Sequence, residues 1–335
     1  MLKKSTKIMM MMTLIMSTIM VISSENWFSM WMGLEINMLS FIPLMEEYKN
    51  YFSSQSKMMY FLIQSLSSIM FIFIIVMNPI SIINEVMTNQ LYMIMLTLSM
   101  MMKMGMAPVH MWFVNIMNKM NWMNCTILMT WQKLAPMYIM SNFISNNSMI
   151  NMCSILSAMI GAIGGLNQTS IKSIMAYSSI NHLGWITICL SHDNETWMKY
   201  LIIYSMMIFI MTKFMEKKSI NFINQMNINL KTKTEKMNFM IMMLSLGGLP
   251  PFIGFLPKWL VIQSLMNNDC KISILILMMS SMITLFYYMR MITPMLMMNN
   301  YINKWNIKSK NMKTTTLFYY TDIIIITNLA INQYM

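Results

Sequence analysis

Charge is what this chain most lacks. Only 10% of its 335 residues are Asp, Glu, Lys or Arg, and the acidic ones number 11 against 23 basic. A soluble protein of this length needs far more charge on its surface, so a soluble core is excluded. Cysteine is sparse too: Cys125, Cys153, Cys189 and Cys270 are scattered, with no CxxC and no thiolate cluster. An iron–sulfur or structural zinc site is therefore not expected, nor any other metal site. The three histidines, His110, His182 and His192, do not supply two pairs of axial haem ligands. A P-loop, a strand-to-helix GxGxxG and a nucleophile elbow are all missing, so no nucleotide site is expected. The net charge of +12 would suit nucleic acid in a soluble protein, but no basic stripe is interleaved with aromatics.

What is present is apolar: 57% of the residues are hydrophobic, in runs of membrane-spanning length from end to end. The 55 methionines, with abundant Ile, Asn and Lys and few Gly or Ala, suggest an AT-rich genome in which an extra codon is read as Met, and hence a mitochondrial gene. Met is flexible and apolar, so these residues are read as packing and lipid-facing material rather than a metal box. At about 20 residues per span, eleven segments emerge: 8–23, 27–44, 58–77, 91–118, 122–142, 149–166, 171–191, 196–216, 237–266, 272–297 and 314–333. The expected fold is an all-α polytopic membrane protein. Lys3, Lys4 and Lys7 before Ile8–Ile22 resemble a secretory signal peptide, but no A-x-A-like cleavage site follows. That stretch is read as a retained first helix.

Charge gives an independent check, because Lys and Arg accumulate on the side from which segments insert. With the N-terminus on that side, same-side segments hold 16 of the 23 basic residues, Lys3, Lys4, Lys7, Lys49, Lys57, Lys119, Lys172, Lys217, Lys218, Lys231, Lys233, Lys236, Lys304, Lys308, Lys310 and Lys313. The opposite loops hold two, Lys199 and Lys271, and five fall within segments: Lys103, Lys133, Lys213, Lys258 and Arg290. Lys213 and Arg290 lie toward segment ends and are read as snorkelling to the interface. Lys103, Lys133 and Lys258 lie deep. An ammonium at mid-bilayer costs about 2.5 to 3.5 kcal/mol on the lenient insertion scale, so each is a functional candidate.

Two segments are too long for one straight crossing and carry helix breakers, Gly105 and Pro108 in KMGMAPVHMW and the run GGLPPFIGFLPKW from Gly247. Each break sits beside an intramembrane lysine. Interrupted helices at corresponding places in two halves point to an ion site built from inverted repeats. Two five-helix repeats, 1–142 and 149–297 with a same-side linker 217–236, and a C-terminal helix over 314–335 are the expected organisation. Glu35, mid-segment in MGLEIN, is the natural partner of Lys103, either as a static salt bridge or as a switchable pair. Gly161, Gly164 and Gly165 are read as close-packing residues. The polar set Ser178, Ser179, Asn181 and His182 is open to two readings, interhelical bonding or a water-filled proton path. His110 could extend such a path, and His192 is read as a solvated loop residue.

These motifs, MGLEIN, KMGMAPVHMWF, MTWQKLAPM, GAIGGLNQTSIKSIMAYSSINHLGW and LSLGGLPPFIGFLPKWLVIQ, closely resemble the chain 2 family of mitochondrial NADH:ubiquinone oxidoreductase, respiratory complex I. The resemblance covers roughly residues 27 to 297. It implies a core antiporter-like, proton-translocating subunit of the complex's membrane arm, beside two larger antiporter-like subunits, in the inner mitochondrial membrane with the N-terminus on the matrix side. Animal members lack three N-terminal helices of bacterial relatives, in keeping with eleven spans. By motif, Glu35 and Lys103 match the family's coupling ion pair, Lys133 its central proton-carrying lysine and Lys258 the lysine of the second broken helix. Flavin, iron–sulfur clusters and ubiquinone belong, on this resemblance, to partner subunits, and this chain holds no cofactor. Two other readings stay open: a stand-alone monovalent cation/proton antiporter, and a structural scaffold whose buried charges are relics.

Overall fold

In the computed structural model, residues 4–46, 50–77, 85–143, 148–191, 195–230, 233–267 and 271–297 are described. Among them every regular element is a helix: α1 Lys4–Ser23, α2 Trp27–Leu44, α3 Tyr51–Met77, α4 Glu85–Met104, α5 Met111–Lys119, α6 Trp122–Met129, α7 Trp131–Phe143, α8 Ser148–Gly165, α9 Ile171–Leu190, α10 Thr196–Lys218, α11 Gln225–Asn229, α12 Lys233–Gly247, α13 Phe255–Asn267 and α14 Lys271–Met297. The expected segments from 8–23 to 272–297 are each met by a helix or by a broken pair. The expected C-terminal helix over 314–335, with its span 314–333, lies outside the described residues.

Both expected breaks are present, and both are built the same way. Gly105 and Gly248 take positive φ, 74° and 77°, which an L side chain would resist. At the first break the amides of Gly105 and Met106 both bond Met101 O, at 3.0 and 3.1 Å; at the second the amides of Gly248 and Leu249 both reach Leu244 O, at 3.1 and 3.4 Å. This is a glycine-terminated helix end, and it frees carbonyls inside the protein. The Ala107–Pro108 peptide that follows the first break is cis.

One break was not expected. The segment 122–142 reads as a single helix, yet α6 stops at Met129 and α7 starts at Trp131. Thr130 bonds its own turn twice, its amide to Thr126 O at 3.0 Å and its Oγ1 to the same oxygen at 2.7 Å. The Oγ1 bond competes with the ladder amide for Thr126 O, and Pro136 in α7 has no N–H to offer Gln132 O in the preceding turn. Lys133 therefore stands in the first turn of a helix rather than mid-helix.

Packing is inverted relative to a soluble protein. The outer stripe of α3 is Met58, Leu62, Leu66, Ile69 and Phe73, all exposed, whereas Ser53, Ser56, Tyr60, Gln64 and Ser67 are buried on the opposite stripe. α14 repeats the pattern with Ile272, Leu275, Met279, Met282 and Phe286 turned out. Apolar side chains that face outward in helical register need a lipid solvent. By length and composition alone α1, α3, α10 and α14 can cross a membrane. α9 is long enough but more polar, and it needs no lipid: every residue from Ile171 to Leu190 except Lys172 is buried, between α8, α5, α10, α13 and α14.

Hydrogen bonds gather the lysine-bearing ends on one face. Lys172 Nζ donates to Met120 O at 2.6 Å, Ile171 N to Asn221 O at 2.9 Å, and Asn124 Nδ2 to Leu44 O at 3.1 Å. Lys218 pairs with Glu235 at 2.6 Å across the 217–236 linker. Lys119, Lys172, Lys217 and Lys218 thus share a face. Lys199 lies beyond the other end of α9, about 30 Å away at 1.5 Å per residue.

Candidate functional site

The apolar helices bury all three deep lysines: Lys103 is 7% exposed, Lys133 1% and Lys258 4%. Each stands at a helix interruption, Lys103 in the last turn of α4, Lys133 in the first turn of α7 and Lys258 in the first turn of α13. The freed carbonyls are taken up by buried donors. Gln64 Nε2 of α3 donates to Lys103 O at 3.2 Å, and Lys258 Nζ donates to Gly247 O at 2.8 Å.

Glu35 is half-buried on α2 and close enough to act on Lys103 electrostatically. Lys57–Glu46, Lys199–Glu195 and Lys218–Glu235 close within 4.0 Å, whereas Glu35 and Lys103 do not form a contact pair in this conformation. Lys103 instead lines a cavity of about 10 Å³ together with Lys133, Tyr60, Trp112, Phe113 and Gln132. That is the size of a single water site. A buried amide and hydroxyl chain flanks it: Gln132 Nε2 donates to Asn37 Oδ1 at 2.9 Å, and Tyr60 OH donates to Gln132 Oε1 at 3.3 Å. Asn37 is two residues beyond Glu35, so this chain ties the carboxylate's helix to α3 and to the helix of Lys133.

On its other side Lys133 reaches α9 and α10. Its Nζ donates to Ser179 O at 3.4 Å and stands 5.2 Å from the centre of the Tyr204 ring and 5.6 Å from that of Phe113, contacts that favour a cation. His182 packs on Tyr204 with ring centres 4.8 Å apart, and its Nδ1 is 2.8 Å from Tyr200 OH. The imidazole is within electrostatic range of both Lys133 and Lys258. Lys258 Nζ stands 5.9 Å from the Trp185 ring centre, one helical turn along α9 from His182. The structure thus brings Lys103, Lys133, His182 and Lys258 into one buried line, with Glu35 at its edge.

His110 is not part of that line. It caps α5 half-buried, its Nδ1 is 3.2 Å from Pro108 O, and its ring neighbours Tyr177. Arg290 does not snorkel as expected: its guanidinium donates to Leu166 O and to Gln168 O at 2.6 Å, holding the end of α8. Lys213 lies 3.8 Å over the Phe209 ring centre. Sequence reading missed Tyr60, Gln64, Asn37 and Gln132. A polar residue in an apolar segment was the available signal, but Asn is frequent in this chain and only their neighbours single these four out.

Fold and site together define a class: a multi-pass membrane protein of antiporter-like build, with broken helices and a buried row of lysines. The chain belongs to the NADH:quinone oxidoreductase/Mrp antiporter transmembrane family, whose model matches residues 24–284. It is 41% identical over 311 residues to NADH-ubiquinone oxidoreductase chain 2 of Anopheles gambiae, covering 92% of this chain and 91% of that one. The chain 2 of Locusta migratoria is also 41% identical, over 302 residues, 90% of this chain and 88% of that one. In fold the chain is similar to a chain of respiratory complex I from Thermus thermophilus with bound Aureothin, at TM-score 0.82 and 18% identity, over 96% of this chain and 77% of that one.

Proposed function

We propose that this chain is a core membrane-arm subunit of a proton-pumping NADH:ubiquinone oxidoreductase, in the inner mitochondrial membrane with the lysine-rich face toward the matrix. Family membership and the names of the relatives support this. The chain takes part in the enzyme's reaction without a redox centre of its own, with flavin, iron–sulfur clusters and ubiquinone held by other subunits and neighbouring antiporter-like subunits as its partners. Residues 1–142 and 149–297 act as two inverted five-helix repeats, a reading supported by the shared glycine-terminated breaks at Gly105 and Gly248.

The observation that carries the mechanism is that Lys103 lines a cavity with Lys133 while making no contact pair with Glu35. Two unit charges roughly 8 Å apart at an effective dielectric near 20 repel by about 2 kcal/mol, which is enough to change proton occupancy by more than tenfold. With Glu35 held out of contact, a proton on Lys103 is only partly compensated and disfavours a proton on Lys133. Charge then passes through His182 toward Lys258. Closing Glu35 on Lys103 holds the proton at the start of the line. The pair is a switch in this reading rather than a static bridge, and quinone reduction elsewhere in the complex drives it.

The test is Lys133→Met, close in size and unable to carry a proton. In an assembled complex it should reduce pumped protons per electron and slow coupled quinone reduction, each readable in the same vesicle assay. Unchanged stoichiometry and rate would remove Lys133 from the mechanism.

A further inference from the structure

The break that holds Lys258 frees a second carbonyl as well. Four residues beyond Leu246 and Gly247 stand Pro250 and Pro251, which have no amide hydrogen to return the helical bond. Two neighbouring carbonyls at the end of α12 are therefore left to side chains. Gly247 O accepts from Lys258 Nζ at 2.8 Å, and Leu246 O faces the imidazole of His182 as a hydrogen-bond acceptor. Leu246 and His182 are both buried, so each depends on the other for that bond.

The same ring meets Tyr200 of α10. The phenol is buried, its ring lies edge-on to the imidazole with centres 6.0 Å apart, and its oxygen is 2.8 Å from Nδ1. A carbonyl oxygen can only accept, and a neutral imidazole has one N–H and one lone pair. Leu246 O calls for the N–H, and Nδ1 is taken up by Tyr200, so the hydrogen belongs on Nε2. The hydroxyl agrees with this assignment. Nδ1 is the acceptor that the structure offers to its hydrogen, and a buried donor left without an acceptor is costly.

We propose that Tyr200 is a positioning residue for His182: its hydroxyl donates to Nδ1 and holds the neutral ring with Nε2–H toward Leu246 O, and it turns to accept from Nδ1–H when the ring takes up a second proton. Which nitrogen carries the hydrogen is set by the bond that the other one makes, so Nδ1 is the nitrogen with a lone pair for that proton. A hydroxyl serves both charge states because it donates or accepts by rotating about its C–O bond. A phenyl ring in its place would leave the charged imidazole with a buried, unpaired N–H, which is the costlier loss of the two. Around the ring, Lys133 of α7 and Lys258 of α13 supply charge and Tyr204 of α10 supplies a stacked face, whereas Tyr200 supplies the bond that follows the ring's change of charge. This inference rests on the proton-pumping role proposed above and adds to it the group that orients the imidazole.

The experiment uses the assembled complex in vesicles, with isotope-labelled histidine, as wild type, Tyr200→Phe, Lys133→Met and His182→Gln. Infrared ring bands that vanish in His182→Gln belong to His182, and they report its tautomer and the bond at Nδ1. The other readouts are protons pumped per electron, the rate of coupled turnover and the melting temperature. Wild type should show the Nε2–H tautomer. Tyr200→Phe should keep that tautomer, shift the band as Nδ1 loses its donor, and lower pumped protons per electron with severalfold slower coupled turnover, while melting moves little. An Nδ1–H band in wild type, or an unshifted band in Tyr200→Phe, overturns the proposal whatever the pumping. A shifted band with wild-type pumping, where Lys133→Met lowers pumping, also overturns it, because Tyr200 then only packs the ring and the lysine mechanism stands without it. If Lys133→Met leaves pumping intact, the proton-pumping role fails and the part of Tyr200 in it fails too, while the bands still decide the bond. Should Tyr200→Phe assemble poorly, the wild-type bands decide by themselves: Nε2–H upholds the assignment and Nδ1–H overturns it.

Discussion

At His182 one ring lies within electrostatic range of both Lys133 and Lys258. The imidazole is buried, bonded to Tyr200 and within range of both ammoniums. His182→Gln should retain a polar contact to Tyr200 and lose the ring nitrogen that can take up and release a proton. Pumped protons per electron should fall while the complex still assembles, and wild-type stoichiometry would show that the two lysines communicate without the ring. Gly248 sets a different limit at the same scale. It has φ of 77°, and a Cβ there would lie 2.8 Å from Lys258 Nζ. Gly248→Ala should cost about 1 to 2 kcal/mol for the left-handed backbone alone and push Lys258 off Gly247 O. A lower melting temperature together with lost pumping is the expected result. The deep lysines were legible in the sequence because a charge inside an apolar run has few explanations. The partners of those lysines were not, since nothing local separates Gln132 or Tyr60 from other polar residues of the chain.

Between elements, backbone proximity controls the site. α8 lies so close to α9 that a Cβ on Gly161 would meet Asn181 N at 2.6 Å and Tyr177 O at 2.7 Å, and one on Gly184 would meet Ser154 O at 2.6 Å. Backbone atoms cannot step aside as a side chain can. Gly161→Val should therefore part the two helices, with a cost of about 1 to 3 kcal/mol or more from overpacking. Assembly yield and melting temperature should both drop, and an intact, stable complex would mean that α8 slides freely along α9. The glycine cluster, like the breaks at 105–110 and 248–254, could be read in advance because Gly and Pro punctuate helices in a known way. The α6–α7 interruption could not: Thr130 is an ordinary residue, and its two hydrogen bonds to Thr126 O matter only with Pro136 further along the same segment.

For the whole molecule, the side on which each loop lies is the checkable property. The hydrogen bonds that join Lys172 to Met120 and Ile171 to Asn221 put the α5–α6, α8–α9 and α10–α12 junctions on one face. A cysteine placed at exposed Asn167 and one at exposed Lys199 should react with a membrane-impermeant thiol reagent from opposite sides of the inner membrane. Asn167→Cys should be labelled only once the matrix face is opened. Labelling of both from the same side would break the proposed topology. The alternation of lysines already carried this arrangement in one dimension, because insertion sorts positive charge by side.

Composition, apolar runs and lysine alternation by themselves determined a multi-pass helical membrane protein with three charges too deep to be incidental. They could do so because spanning a bilayer and burying an ammonium are costs that every residue of a segment must answer locally. Whether Glu35 touches Lys103, that Lys103 shares a cavity with Lys133, that His182 lies within range of both Lys133 and Lys258, and that Arg290 clasps α8 were decided only by the tertiary structure. Each depends on which faces of distant helices meet, and helix packing brings together residues that lie tens to more than a hundred positions apart in the chain.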